Sequence, residues 1–202
     1  MSLIYSNATD RPIHRDDLDT LPQPVSLGRF HKPYSFSEYI NDIHRALDMN
    51  NITVAHEEYV VQKDEQRLFG MMAIGQPEQG WQLTLGVRGS HDQSIPRGIA
   101  LGTNVMVCSN LCFSGELFTG KAKQTTYNGE RILQMIHDGV ATIPEARRVQ
   151  QATFDTYKTT ELSKRQADAL LLESFRIGAL SGSQLACAIK EFDKPSYAEH
   201  GQ

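Results

Sequence analysis

The chain has 202 residues, of which 40% are hydrophobic and 22% are charged, and its net charge is −4. This balance is typical of a globular protein, and it argues against a disordered chain or one that coats nucleic acid through overall positive charge. No apolar stretch is long enough to span a bilayer, and the N-terminus lacks the pattern of a secretory signal. Three irregularly spaced cysteines predict free thiols in the cytoplasm.

The first 35 residues contain four of the eight prolines and an acidic DDLD run. Because proline removes backbone donors and disfavours helix, this segment is predicted to be an irregular arm or a segment that wraps the domain. Residues 36–50 then place Phe36, Ile40, Ile43 and Leu47 on one helical stripe, with Ser35 or Ser37 available as a cap.

A region of β character follows. Residues 52–63 and 67–74 are two candidate strands joined by a hairpin at KDEQ, and GQPEQG at 75–80 is a turn. WQLTLGVR alternates strictly, which makes the strand half-buried and places Arg88 on its non-core face. After an irregular stretch through Gly98 and Gly102, NVMVCSN is a short strand. The pattern predicts three or four strands.

From about residue 127 the pattern becomes helical, with Pro144 in a permitted first turn and Pro195 ending the last helix. Core stripes are predicted for Leu170, Leu171 and Phe175, and for Leu185, Ala188, Ile189 and Phe192. The predicted class is α+β, a small mainly antiparallel sheet with one preceding helix and a C-terminal helical region. The expected divisions are an arm at 1–35, the core at 36–125, a helical region packed on the core at 126–195, and a tail at 196–202.

Residues 88–94, RGSHDQS, are the main candidate for a site. Adjacent side chains on an extended strand face apart, so these residues alone do not form a catalytic triad. One alternative is a turn stabilised by its own side chains. The other is a ligand loop in which Arg88 and His91 meet an anion. The ligand-binding candidates are Arg88, Ser90, His91, Asp92, Ser94 and Asn110, the last because its amide could tie the two segments together.

Cys108 and Cys112 are four residues apart and, with His91, raise the question of a metal. Structural zinc sites need four ligands, commonly in two close pairs, and only Cys187 remains far downstream, so no metal site is predicted. A nucleophilic Cys108 with His91 as its base is an alternative to a buried structural cysteine. No nucleotide-binding glycine motif is present, and no cofactor is predicted.

Residues 121–165 hold 8 Lys and Arg against 5 Asp and Glu. A basic segment beside acidic ones is suited to contact phosphates, and it is equally typical of the solvated face of ordinary helices. The candidate nucleic-acid contacts are Lys121, Lys123, Arg131, Arg147 and Arg148.

Residues 83–116, LTLGVRGSHDQSIPRGIALGTNVMVCSNLCFSGE, resemble the phage- and plasmid-borne family catalogued as domain of unknown function nine-three-two. The positions that match its motifs are Arg88, Ser90, His91, Asp92, Ser94, Gly102, Val107, Cys108, Ser109 and Asn110. Gly89 differs from the family's usual Asn, and EFDKPSYAEHG near the C-terminus also resembles a family segment. The resemblance implies a mobile-element origin and a location inside the host cell, but no established reaction.

Three function hypotheses follow from these observations. The first is a nucleic-acid-associated accessory protein that handles single strands in replication or recombination. The second is a factor that binds a host or virion protein. The third is an enzyme on a small phosphorylated or nucleotide-like substrate, with Arg88 neutralising charge, His91 moving a proton and Asp92 orienting it. No membrane partner is expected, and the pattern specifies no oligomeric state.

Overall fold

The computed structural model describes residues 11–62, 64–78, 81–105, 113–125 and 129–195. Its strands are β1 (Arg11–Ile13), β2 (Val54–Gln62), β3 (Arg67–Glu78), β4 (Trp81–Ser90), β5 (Arg97–Val105) and β6 (Phe113–Ala122). Its α-helices are α1 (Phe36–Met49), α2 (Gly129–Ala141), α3 (Ile143–Thr159), α4 (Lys164–Arg176) and α5 (Gly182–Asp193). A 3₁₀ helix spans Arg15–Thr20.

The six strands form one antiparallel sheet in the order β1-β2-β3-β4-β5-β6, so each strand pairs with its neighbour in the chain. Together with the helices this confirms the predicted α+β class and the C-terminal helical region. The β2–β3 hairpin forms where it was predicted, with Gln62 opposite Arg67. The strand expected at 104–110 lies largely outside the described residues.

The predicted number of strands is wrong, because three segments that were not predicted as strands form β1, β5 and β6. Gly98 and Gly102 belong to β5, although their region was expected to be irregular. The sheet tolerates these glycines because Ile99 and Leu101 beside them are almost completely buried. β6, at Phe113–Ala122, was not predicted as a strand.

The N-terminal arm is not irregular throughout. β1 pairs with β2, with Ile13 opposite Tyr59, and thereby forms one edge of the sheet. Leu18 in the 3₁₀ helix and Leu21 just after it are buried. Burial of these three apolar side chains explains why a proline-containing segment is held against the domain.

Helix α1 confirms its predicted extent and cap. The Ser35 hydroxyl accepts a hydrogen bond from the Glu38 amide at 3.0 Å, and the Glu38 carboxylate accepts one from the Ser35 amide at 2.8 Å. This capping box satisfies backbone donors at the helix start. Further along the helix, the Tyr39 hydroxyl donates to the carbonyl oxygen of Gly98 at 2.9 Å, which joins α1 to β5.

The sheet has two distinct faces, because side chains alternate along each strand. The covered face carries Val87, Ile99 and Phe118. Helix α2 packs against β5 and β6 on this side, and its Gly139 faces the side chains of Ile99 and Phe118. The open face carries Phe69, Arg88, Gly98 and Lys121, which are paired across four neighbouring strands.

The chain divides into two compact units, Met1–Val149 and Gln150–Gln202. In the second unit α4 pairs with α5, and Lys164 forms an ion pair with Asp193 at 2.6 Å. Leu170, Phe175, Ile189 and Phe192, predicted to be core residues, are 38–58% exposed. The physical reason is that a pair of helices has one mutual interface, which cannot cover every apolar position of both.

Candidate functional site

The hydroxyl of Ser90, at the end of β4, is used by the turn that follows it. It donates to the carbonyl oxygen of Ile95 at 3.1 Å and accepts from the Ile95 amide at 2.9 Å. The backbone of Ser90 also pairs with Ile95, and its carbonyl oxygen accepts from the Gln124 side chain at 2.8 Å. Ser90 is completely buried. These contacts identify Ser90 as the residue that closes the turn.

Asp92 and Ser94 complete this turn. The Asp92 carboxylate accepts hydrogen bonds from the Ser94 amide, at 3.0 Å, and from the Ser94 hydroxyl. Between them Gln93 has a φ of 60°, in the left-handed region. A carboxylate that accepts a backbone amide two residues on is the usual stabiliser of such a turn. The geometry therefore favours the structural alternative for residues 90–95.

His91 is buried against α1. Its ring stacks on Phe36 with the centroids 3.8 Å apart and the planes 13° apart, and its exposed fraction is 5%. Among the residues that the structure describes, neither ring nitrogen has a hydrogen-bond partner. Burial, followed by the positive charges of Arg97 and His31, lowers the pKa of His91 to about 4. His91 is therefore neutral at pH 7 and packed as an aromatic ring.

Arg97 is a buried charged residue that the sequence analysis did not identify. It is fully buried on the covered face, with its guanidinium 4.5 Å from the ring centroid of Phe36 and 5.5 Å from that of Tyr39. The guanidinium donates to the carbonyl oxygen of Tyr34, and burial lowers its pKa to about 10. It remains charged at neutral pH. Arginine is rarely fully buried, so no sequence pattern would have indicated this position.

Gly89 allows Arg97 to occupy this position. A Cβ atom built on Gly89 would lie 2.7 Å from Cδ of Arg97 and closer still to its Nη1. A side chain at position 89 therefore requires Arg97 to move. The glycine at position 89 therefore has a packing explanation.

Arg88 lies on the other side of the sheet, as its alternation predicted. It is exposed on the open face, where it pairs across strands with Phe69 on β3 and Gly98 on β5. Its Nε is 3.5 Å from the position that a Cβ on Gly98 would take, so the side chain extends over that glycine. Arg88 and His91 are thus on opposite faces and do not form one recess.

Three of the predicted nucleic-acid contacts converge. Lys121, Lys123 and Arg131 are exposed and line one groove of about 550 Å³ between the end of β6 and α2. Within the described part of the chain, none of the three forms an ion pair. The acidic member of the groove, Asp138, accepts a hydrogen bond from Gln134 at 2.6 Å. The groove therefore presents three free cations.

Arg147 and Arg148 do not belong to this groove. Arg147 donates to the Glu78 carboxylate and to the carbonyl oxygen of Ile74, both at 2.9 Å, and so fastens α3 to the end of β3. Arg148 pairs with Glu145 on its own helix at 2.6 Å. Both arginines therefore form ion pairs within the first unit.

Several predicted residues lie outside the described residues, namely Val107, Cys108, Ser109, Asn110 and Cys112. Cys187 is exposed and has a free thiol. Within the described ranges, no group of three or more His, Cys, Asp or Glu side chains is placed to hold a metal ion. The same ranges contain no helix with the length and apolar character that crossing a bilayer requires.

Comparison of the chain with protein-family models, with curated proteins and with solved structures finds no match.

Proposed function

We propose that this protein binds nucleic acid through the groove of Lys121, Lys123 and Arg131, as an accessory protein of a phage or other mobile element. The observation that carries the proposal is that these cations converge and have no carboxylate partner among the described residues. Unpaired cations gathered in a groove attract phosphates, whereas ion-paired cations scattered on helices do so weakly.

Arg88 adds to this positive surface. Lys121 and Arg88 both pair with Gly98, so the two cations stand on the open face of the sheet two strands apart, about 10 Å between their backbones. Lys121 is thus common to the groove and to the open face. The mobile-element origin rests on the family resemblance of residues 83–116 and is part of the same proposal.

The test is fluorescence anisotropy of labelled 20-nucleotide DNA and RNA, single- and double-stranded, across a range of salt concentrations. The groove variant is Lys121→Gln/Lys123→Gln/Arg131→Gln. We expect it to weaken binding ~10-fold or more and to reduce the slope of log affinity against log salt by about 3. The matched control, Arg148→Gln/Lys164→Gln/Arg176→Gln, removes the same charge from cations that are ion-paired.

We expect the control to bind within ~2-fold of the unmodified chain at each salt concentration. If micromolar protein binds none of the four nucleic acids at low salt, the proposal is wrong. Equal weakening by both triple variants would also contradict it, because binding would then depend on total charge alone.

Binding to a host or virion protein is a second candidate function. It is favoured by the large apolar side chains exposed in the second unit, including Leu170 on α4 at 58% and Ile177 directly after that helix at 72%. The corresponding experiment compares the host proteins retained by the unmodified chain and by the Leu170→Ser/Ile177→Ser variant. Identical retained proteins would count against this surface. The enzyme hypothesis built on Arg88, His91 and Asp92 has no support from this geometry.

A further inference from the structure

We infer that the open face of the sheet is a binding site for unpaired nucleobases, so that the nucleic acid bound is single-stranded. This inference rests on the proposed function and names the substrate class for it. It is carried by a recess of about 450 Å³, which lies in the volume range of ligand pockets. The side chains that line it from the open face include Phe69, Met71, Arg88 and Ala100.

The first row of the open face places a ring and a cation, Phe69 and Arg88, in this recess, and it continues to a second cation, Lys121, beside the recess. Phe69, Arg88, Gly98 and Lys121 are direct cross-strand partners on β3 to β6 and therefore point to the same side of the sheet. Phe69 is half-buried and, among the described residues, makes no ring contact. An accessible aromatic ring beside cations is the arrangement by which proteins stack a base and hold its phosphate.

The second row provides the floor. Met71, Gly86, Ala100 and Thr119 are the corresponding partners one step along the strands. Gly86 on β4 and Ala100 on β5 have small side chains or none, so a depression forms in the middle of this face. Phe69 and Met71 border it on one side and Thr119 on the other. A flat aromatic base fits over such a floor, whereas the paired bases of a duplex are stacked inside it and cannot reach a sheet surface.

Charge selects this occupant over an apolar peptide. Arg88 stands in the first row, and Lys121 continues from that row into the groove with Lys123 and Arg131. A phosphate backbone can therefore follow the cations while its bases lie on the open face. A protein segment on this face would need acidic residues to match the same cations.

The experiment compares three probes of equal length, namely a labelled dT20 strand, a 20-residue abasic strand and a 20-base-pair duplex. We expect the unmodified chain to bind dT20 ~10-fold more tightly than the abasic strand, because only dT20 has bases that can stack on a protein ring. Phe69→Leu keeps an apolar side chain but removes the ring. It should lower the preference for dT20 to near unity and leave the abasic affinity unchanged.

Ala100→Ile is an independent variant, since it fills the floor with a residue favoured in strands. It should abolish the preference for dT20. Unchanged Trp81 fluorescence would show that the variant is still folded. The matched control is Phe30→Leu, the same substitution at an aromatic residue that is 55% exposed elsewhere in the first unit.

The outcomes separate the two proposals. Equal affinity for dT20 and the abasic strand, or duplex binding as tight as dT20, overturns this inference while groove variants can still confirm nucleic-acid binding. Retention of the dT20 preference in both Phe69→Leu and Ala100→Ile also overturns it. Failure of all three probes to bind removes the proposed function and this inference together, and leaves the open face to a protein partner.

Discussion

The ring of His91 stacks on the ring of Phe36 at 3.8 Å, which fixes the turn after β4 to the first residue of α1. Protonation of His91 would place a second positive charge beside the buried guanidinium of Arg97. This contact therefore makes the stability of the first unit depend on pH.

The direction of this pH dependence follows from the lowered pKa of His91. The folded protein holds His91 neutral down to about pH 4, whereas the unfolded chain protonates it near 6.5. Its contribution to stability is fully present at pH 7 and is lost as pH falls from about 6.5 to 4. We expect a loss on the order of 2 kcal/mol, measured by urea titrations followed through Trp81, the single tryptophan and a buried residue of β4.

His91→Phe should remove most of the loss between pH 6.5 and 4.5, while His137→Gln, at an exposed histidine of α2, should not. Burial would raise the pKa of Glu57, but hydrogen bonds from His44 and Tyr59 lower it on balance. Glu57 therefore contributes acid lability below about pH 4.5, outside this window. A His91→Phe curve parallel to that of the unmodified chain would show that His91 is not the group responsible.

Substitution of Gly89 tests the packing of Arg97. We expect Gly89→Ala to lower the free energy of unfolding by about 1–3 kcal/mol, because a Cβ there displaces a side chain in a filled interior. Gly129→Ala is the control, since the nearest heavy atom to its added Cβ is the flexible end of Lys32 at 3.5 Å. Adding Arg97→Met to Gly89→Ala should recover part of the loss, and strict additivity in this double-mutant cycle would refute the proposed clash.

Ser90→Ala tests whether the turn after β4 is structural. The change removes a hydroxyl that both accepts from and donates to Ile95, and it leaves a part-buried amide without that partner. We expect a loss of about 1–3 kcal/mol in chemical unfolding, with oligonucleotide affinity unchanged. Ser94→Ala, on the exposed side of the turn, should change stability by less than about 0.5 kcal/mol. A large loss of affinity without loss of stability in Ser90→Ala would instead indicate a ligand loop.

Arg147→Leu separates structural from binding arginines. It breaks the contacts of Arg147 with Glu78 and with the carbonyl oxygen of Ile74, and should lower stability by about 1 kcal/mol. In fluorescence anisotropy, the Arg147→Leu variant should bind each oligonucleotide with the same affinity as the unmodified chain. If Arg147→Leu weakened binding as strongly as the groove variant, Arg147 would have to be counted among the phosphate contacts.

Much of the fold could be predicted because local patterns and tertiary packing agree. The stripe of Phe36, Ile40 and Ile43 with Ser35 before it is sufficient for α1, and the alternation of residues 81–88 correctly places Arg88 on the non-core face. β5 was missed because glycine weakens strand propensity. The pairing of β5 with β4 and β6 overrides that weakness, and such pairing depends on residues distant in the sequence.

The candidate site was only partly predictable. Arg88 and His91 differ by three positions, so the alternation that placed one outward already implies that the other faces inward. The convergence of Lys121 and Lys123 with Arg131 depends on how α2 docks beside β6, which periodicity does not specify. Arg97 gave no sequence signal because a buried charge departs from the composition of ordinary cores.

The close fit of Arg97 over Gly89 has an evolutionary consequence. A relative with asparagine at the position of Gly89 has no room for an arginine held as Arg97 is here, so a shorter residue is expected there. The two positions should therefore co-vary, since a side chain at position 89 and an arginine at position 97 compete for the same space.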